Sequence, residues 1–267
     1  MERIEHHRSG LPGVRYIDAE YHRFAFPRHF HLDYHIGLML DGRQRYVHAG
    51  ERCLAGGGDI LLMSPESIHD GASEGEDGYR IRVLSIEPQW LEQAARSLSD
   101  GRQGTPRLLA SQVRDEQLRQ QLHGLHQVLA GGERLEQEGR LWQGLATLLG
   151  HASSLRIREP RQGFDAQAWR RLREWLESRL ENPPTLDELA AFCDLSPWQV
   201  LRRFRNHCGL PPHQWLTQLR LERALPRVLA GQPLSEVALS LGFYDQAHFS
   251  RLFRRTYGLP PARLRQR

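Results

Sequence analysis

The sequence predicts an α+β chain in two parts, an antiparallel β-barrel backed by a helical hairpin and then an all-α domain built on a doubled helix-turn-helix. Three observations carry this. Over the first hundred of the 267 residues, short alternating or apolar runs are punctuated by Gly and Pro, the pattern of a barrel or sandwich. From about Ser111 the apolar period changes from two to three and four. Within the last hundred residues, one segment occurs twice.

Taken in order, the expected strands are 13–21, 34–40, 44–49, 59–63 and 79–86. Asp41-Gly42 reads as a hairpin turn, because both residue types tolerate the positive φ of a tight turn. These strands make up a domain over 1–110. Leu118, Leu122, Leu125 and Leu129, then Leu141, Leu145 and Leu148, mark two amphipathic helices over 111–155, broken at Gly131-Gly132. Such leucines can pack on the barrel, and an exposed leucine seam on a hairpin is also a common dimer surface, so a homodimer is expected. The charged, Pro- and Gly-broken stretch 156–164 reads as a linker, and 165–267 as the helical domain.

In that domain, Leu186-Asp-Glu-Leu-Ala190 recurs 48 positions later as Leu234-Ser-Glu-Val-Ala238. Arg202, Phe204, Arg205 and Gly209-Leu-Pro-Pro212 recur 49 positions later as Arg251, Phe253, Arg254 and Gly258-Leu-Pro-Pro261. Each copy is a short helix, a turn, and a longer helix that stops at Gly before Pro, which is helix-turn-helix punctuation. Thr185 with Glu188 forms a capping box, Ser196-Pro197 supplies an N-cap and a Pro at the first helical position, and Asp245 is the N-cap of the second copy's long helix. The helical wheels put Trp198, Leu201, Arg202 and Arg205 on one outward face, and Ala247, Ser250, Arg251 and Arg254 on its counterpart.

At 39% hydrophobic and 25% charged, the composition excludes a disordered chain. No run approaches the roughly 20 apolar residues of a membrane span, and MERIEHHRSG lacks the apolar segment of a signal peptide, so a cytoplasmic location without membrane contact is expected. Cys53, Cys193 and Cys208 have neither disulfide nor metal-knuckle spacing and read as buried thiols. All 36 basic residues are arginine. Residues 1–155 hold 17 of them against 21 acids, a net of −4, and 156–267 hold 19 against 11, a net of +8. A compact segment with that excess is an electrostatic footprint for a polyanion, of which nucleic acid is the commonest in a cytoplasm, or else a solvated basic surface; outward arginines on a helix can bond guanine edges in the major groove, and others bind phosphate. Histidine runs the other way, with 11 of 14 in the first part.

Residues 166–267 resemble the DNA-binding domain of the AraC/XylS family of bacterial transcription regulators. The second copy carries the resemblance, in Val237-Ala238, Leu241-Gly242-Phe243, Gln246, His248-Phe249-Ser250-Arg251, Phe253-Arg254 and Gly258-Leu-Pro-Pro261. The resemblance implies seven helices, with two recognition helices in successive major grooves about 34 Å apart. It implies base contacts from Trp198, Leu201 and Arg202 in the first copy and from Gln246, Ala247, His248 and Arg251 in the second. Arg205 and Arg254 are the phosphate side of the same faces. Leu201 and Ala247 cannot donate to bases, and Pro226 should kink the connecting helix.

The first part resembles that family's cupin-like effector domain, through Gly57-Gly-Asp-Ile-Leu-Leu-Met-Ser-Pro65 followed by His69, with His29-Phe-His31 before it. The resemblance implies a small-molecule effector in the barrel and a partner in RNA polymerase, with activation more usual than repression. His29, His31, His35 and His69 are the expected pocket residues. No cofactor is required by this reading, but the same four histidines are the candidates for a divalent transition metal. Arg80 and Arg82 share one strand face, and if that face is the lumen they favour a carboxylate-bearing effector through bidentate pairing. The expectation is a regulator, not an enzyme; a metal-dependent cupin enzyme fused to a DNA-binding module is the alternative, and an effector-blind architectural DNA binder a further one.

Overall fold

The computed structural model describes residues 2–99, 101, 106–155, 157 and 162–264, and falls into two compact units, Met1–Arg158 and Glu159–Arg267. Most of the segment expected as a linker lies outside the described residues.

The first unit contains strands β1 (Arg3–Arg8), β2 (Val14–Tyr21), β3 (Phe26–His29), β4 (Tyr34–His48), β5 (Glu51–Gly56), β6 (Ile60–Met63), β7 (His69–Ser73), β8 (Tyr79–Ile86) and β9 (Gln112–Val113), with helices α1 (Pro88–Leu98), α2 (Glu116–Leu129) and α3 (Arg134–Ala152). One sheet runs β1-β2-β8-β4-β6-β9, and β3, β5 and β7 extend from β4 as the other wall of a cupin-like barrel. The expected hairpin at Asp41-Gly42 is absent, because β4 runs straight through it as one 15-residue strand. Its first half pairs β6 and β8, its second half pairs β5 and β7, and a bulge between Met39 and Asp41 turns it from one wall to the other. Gly42 stands at that corner with φ +71°, and a Cβ there would collide with the Gly78 carbonyl oxygen. A two-residue turn and a barrel corner ask for the same residues, so the sequence signal was real and its topology differed. The alternation missed β1 (RIEHHR), β3 (FPRH), β5 (ERCLAG), β7 (HDGAS) and the two-residue β9; all have six residues or fewer, and β1 and β5 are largely exposed.

The break at Gly131-Gly132 separates α2 and α3 as expected. Their seven leucines, however, are all buried within the protomer, so the seam expected as a dimer surface is not presented to a second copy. The two helices pack on each other, α3 on α1, and α2 on the barrel, so no apolar face is left over. On α2, His126 is buried edge-on against Tyr16 of β2, and neither of its ring nitrogens has a hydrogen-bond partner.

Among its described residues the second unit has six α-helices, α4 (Ala166–Glu177), α5 (Leu186–Cys193), α6 (Pro197–Cys208), α7 (Pro212–Leu229), α8 (Leu234–Ser240) and α9 (Gln246–Tyr257), and then a single 3₁₀ turn, Pro261–Arg263, as the seventh element. The expected punctuation is in place. Thr185 and Ser196 form capping boxes with Glu188 and Gln199, Asp245 accepts from the His248 backbone N–H, and Gly209 and Gly258 close α6 and α9 in the left-handed region. Pro226 lies in the last turn of α7, and the helix runs unbroken through it to Leu229. Only the bond to the Glu222 carbonyl is lost there, near an end that frays anyway. The guanidinium of Arg220, on α7, is fully buried. It donates to the Leu180 carbonyl through Nε at 3.0 Å and a terminal nitrogen at 2.8 Å, and lies 5.7 Å from the Phe243 ring. Gly242 packs into this junction with φ +76°, where any Cβ would strike the Leu180 carbonyl and the guanidinium.

Two outcomes follow. Gly42→Ala combines a left-handed φ with a backbone collision and should cost about 2 kcal/mol or more, read as a drop in the urea midpoint; an unchanged midpoint would remove the corner as a constraint. For His126, burial first and the Arg82 charge next, with a smaller contribution from His123, outweigh the opposing Asp18 and press the imidazole pKa down to about 4. The unfolded ring takes a proton near pH 6.5 and the folded one does not, so stability falls as pH drops from about 6.5 to 4, by as much as about 3 kcal/mol. His126→Leu should flatten part of that slope in unfolding midpoints taken across this window, and an unaltered slope would exclude the ring as a contributor.

Candidate DNA-reading helices and ligand cavity

Helix α9 presents the face that the sequence expects. Phe249 and Phe253 are fully buried, while Gln246, Ala247, Arg251 and Arg254 are exposed and His248 is half-buried beside the Phe243 ring. Capping by Asp245 fixes where the helix begins and so which residues lead it.

Helix α6 departs from its counterpart. Arg205 is exposed and Arg202 half-buried, but Trp198 and Leu201, expected outward, are 6% and 8% exposed. The wheel placed them opposite Val200 and Phe204, yet Trp198, Val200, Leu201 and Phe204 make α6 apolar over most of its circumference, and large apolar groups take whatever cover is offered. The Arg202 guanidinium lies 5.5 Å from the Trp198 ring centre, and the indole N–H is buried with no hydrogen-bond partner.

Inside the barrel lies a cavity of about 710 Å³. Strand β8 contributes Tyr79, Ile81, Val83 and Ser85 to its lining. By the same period of two, Arg80 and Arg82 point away from the lumen, which corrects their expected role as effector ligands. Arg82 instead binds Asp18 of β2 at 2.6 Å and approaches His123 of α2, and Arg80 is exposed. The cations at the cavity are Arg8 and Arg15, neither of them singled out by the sequence reading. Arg15 is engaged by Asp33 at 2.5 Å, and Asp33 also accepts from the Ser85 hydroxyl at 2.8 Å. Burial raises the Asp33 pKa, but these two partners outweigh it and leave the carboxyl below its ordinary range.

All four expected histidines line the cavity. His29, at the end of β3, stands opposite His69, at the start of β7, in the strand register, and His31 follows in the next loop. The ligand atoms of these three lie within 4.8 Å of one another. His35 is outside that group; its ring stacks on His31 with centres 3.7 Å apart. Burial, and then the neighbouring imidazoles, hold His31 down to about 4 and His35 to about 3, and burial lowers His69 as well, so these rings are neutral at pH 7. Apolar walls come from Phe24, Phe26, Leu61, Met63 and Ile81. Gln44 is buried among them, and its Oε1 has no hydrogen-bond partner.

Two family models match the chain, an AraC-like ligand binding domain over residues 11–146 and a helix-turn-helix domain over 189–267. The chain belongs to the AraC family. Among AraC-family relatives, the MmsAB operon regulatory protein of Pseudomonas aeruginosa is 30% identical over 267 aligned residues, covering 94% of this chain and 80% of that one. The transcriptional activator RhaS of Escherichia fergusonii is 28% identical over 259, covering 91% and 88%. A solved transcriptional regulator from Chromobacterium violaceum, with an AraC-type DNA-binding domain, is 25% identical with a TM-score of 0.36, covering 38% of this chain and 90% of that one. As an AraC-family member the chain is a DNA-binding transcription regulator with a ligand-binding domain, and its relatives are named regulators rather than enzymes. None of its described helices is long and apolar enough to cross a membrane. Its cysteines are free and half-buried.

Ser85 and the inward tyrosine Tyr79 share the parity of Ile81, so the alternation of β8 could have found them. Arg8 and Arg15 had no such signal, because the lumen side of β1 and β2 is set by how the sheet closes.

Proposed function

We propose that this regulator reads promoter DNA through α9 and α6 and that a small molecule held in the barrel controls that reading. The observation that carries the first part is the exposed face of α9. Gln246, Ala247 and Arg251, with half-exposed His248, project from a capped helix supported by α8, with Arg254 one turn on for phosphate. In α6, Arg202 is the base reader and Arg205 the phosphate contact, with Trp198 and Leu201 as apolar neighbours that contact DNA only if the helix face opens. The net +8 of this part of the chain supplies the sequence-independent attraction.

The effector reading rests on the barrel's cavity, whose lining combines apolar walls with histidine, arginine and other polar side chains. An effector there shifts how 1–110 and the hairpin 111–155 present the DNA domain, a coupling typically worth about 1 to 3 kcal/mol. Activation through RNA polymerase, in the cytoplasm, follows the relative that is named an activator. The homodimer of the sequence reading no longer has the leucine seam to support it.

Selection of bound sites from a random duplex library at physiological salt should enrich two boxes about one helical turn apart. Arg251→Ala should then cost about 1 to 3 kcal/mol on the selected site, with little loss on random DNA, while Arg205→Ala weakens both and lowers the salt slope by about one. Equal losses on selected and random DNA for Arg251→Ala would rule that residue out as a base reader.

A further inference from the structure

The histidine cluster has a use that binding an organic molecule alone does not require. Three rings from two chain segments, His29 and His31 at and just after the end of β3 and His69 at the start of β7, bring their ligand atoms within 4.8 Å of one another at the cavity wall. Two of them are oriented from behind. The Nδ1 of His29 lies 2.7 Å from the Pro27 carbonyl oxygen and that of His69 lies 2.8 Å from the Ser67 carbonyl oxygen. A carbonyl only accepts, so each Nδ1 carries the proton and donates it, which leaves Nε2 with its lone pair free. That is the arrangement by which outer carbonyls aim imidazoles at a metal. Of the carboxylates nearby, Asp33 is taken by Arg15 and Ser85, and Asp70 accepts from the Val47 backbone N–H, so the donor set offered is nitrogen alone.

The geometry points to a divalent transition-metal site on His29, His31 and His69, with its remaining coordination positions facing the cavity and taking an anionic oxygen ligand. This rests on the reading of the cavity as the effector site. An all-imidazole set suits zinc, iron, nickel or copper and disfavours magnesium and calcium. Three neutral ligands leave the ion's double charge uncompensated, so the fourth partner is an anion. The walls of Phe24, Phe26, Met63 and Ile81 fit a compact apolar body behind that anion, and the unpartnered Oε1 of Gln44 offers one acceptor to a donor group on it. The effector class is therefore a small carboxylate with an apolar body. The earlier support for a carboxylate, Arg80 and Arg82, faces the other way, and the metal takes over that role. His35, stacked on His31, is a positioning residue.

The test uses the full chain, stripped with EDTA and titrated with Co²⁺. One Co²⁺ per chain with visible d–d absorption, displaced by Zn²⁺, is expected. His29→Ala and His69→Gln should each weaken Co²⁺ binding more than about 100-fold, beyond what outer-shell partners are worth, while the surface change His151→Ala leaves it unaltered. Circular dichroism checks that each variant is folded, and the wild-type spectrum stands without them. Benzoate, as the probe anion, should perturb the Co²⁺ bands and raise the thermal midpoint only in the metal-loaded protein.

Absence of Co²⁺ uptake overturns the site. Uptake with bands indifferent to benzoate makes the ion purely structural and overturns the open positions. Equal stabilisation by benzoate with and without metal, lost in Arg8→Ala, places the anion on Arg8 and also overturns the inference. DNA affinity that responds to a small molecule in the absence of metal would leave the barrel reading standing while this inference fails. Metal binding without any effect of small molecules on DNA affinity would do the reverse.

Discussion

Arg220 sits with no exposed surface on the helix that joins the two repeats, and the packing of that helix depends on how its charge is satisfied. A guanidinium taken out of water must find acceptors within the fold, or the cost of burial exceeds what the surrounding packing returns. Here the Leu180 carbonyl, in the turn between α4 and α5, receives two of its N–H groups, and the Phe243 ring lies against it. One side chain thus ties the lead-in of the first repeat to the turn of the second, through the connecting helix α7. The glycine of Leu241-Gly242-Phe243 is explained by the same contact, since no side chain fits between the guanidinium and the Leu180 carbonyl.

Much of the helical unit was legible because its signals are local. Caps and terminal glycines each act within a few residues, so α5, α6 and α9 begin at the caps the sequence offers and α6 and α9 end at their glycines. The barrel was legible in outline only. Asp41-Gly42 announces a sharp change of direction, but whether that change makes a hairpin or a corner depends on which strands lie alongside, and these come from β5 to β8. The two faces of β8 were equally open from sequence, because Arg80 and Arg82 alternate with residues that suit either a lumen or a core. Trp198 shows the limit of a helical wheel, which ranks faces of one helix and knows nothing of what covers them.

Single strands supply both apolar and polar lining of the cavity, as β3 does with Phe26 and His29, and the histidine cluster is assembled where β3 and β7 meet, so that residues forty apart in sequence face each other across a short stretch of ladder. Near it Arg15 is already paired with Asp33, and on the proposed reading the imidazoles, with Arg8 and Gln44, are the polar groups that meet a guest.

The unlike faces of α6 and α9 have a consequence for the DNA they address. Where two identical subunits bind, the site reads the same on both strands, because its palindrome mirrors the protein's two-fold axis. On the proposed reading, a single chain carrying Arg202 beside an indole on α6, and Gln246, His248 and Arg251 on α9, matches a sequence that is not its own reverse complement. Such a site has a polarity. Turning it end for end on the chromosome would leave its composition and spacing intact and point the bound regulator away from its gene.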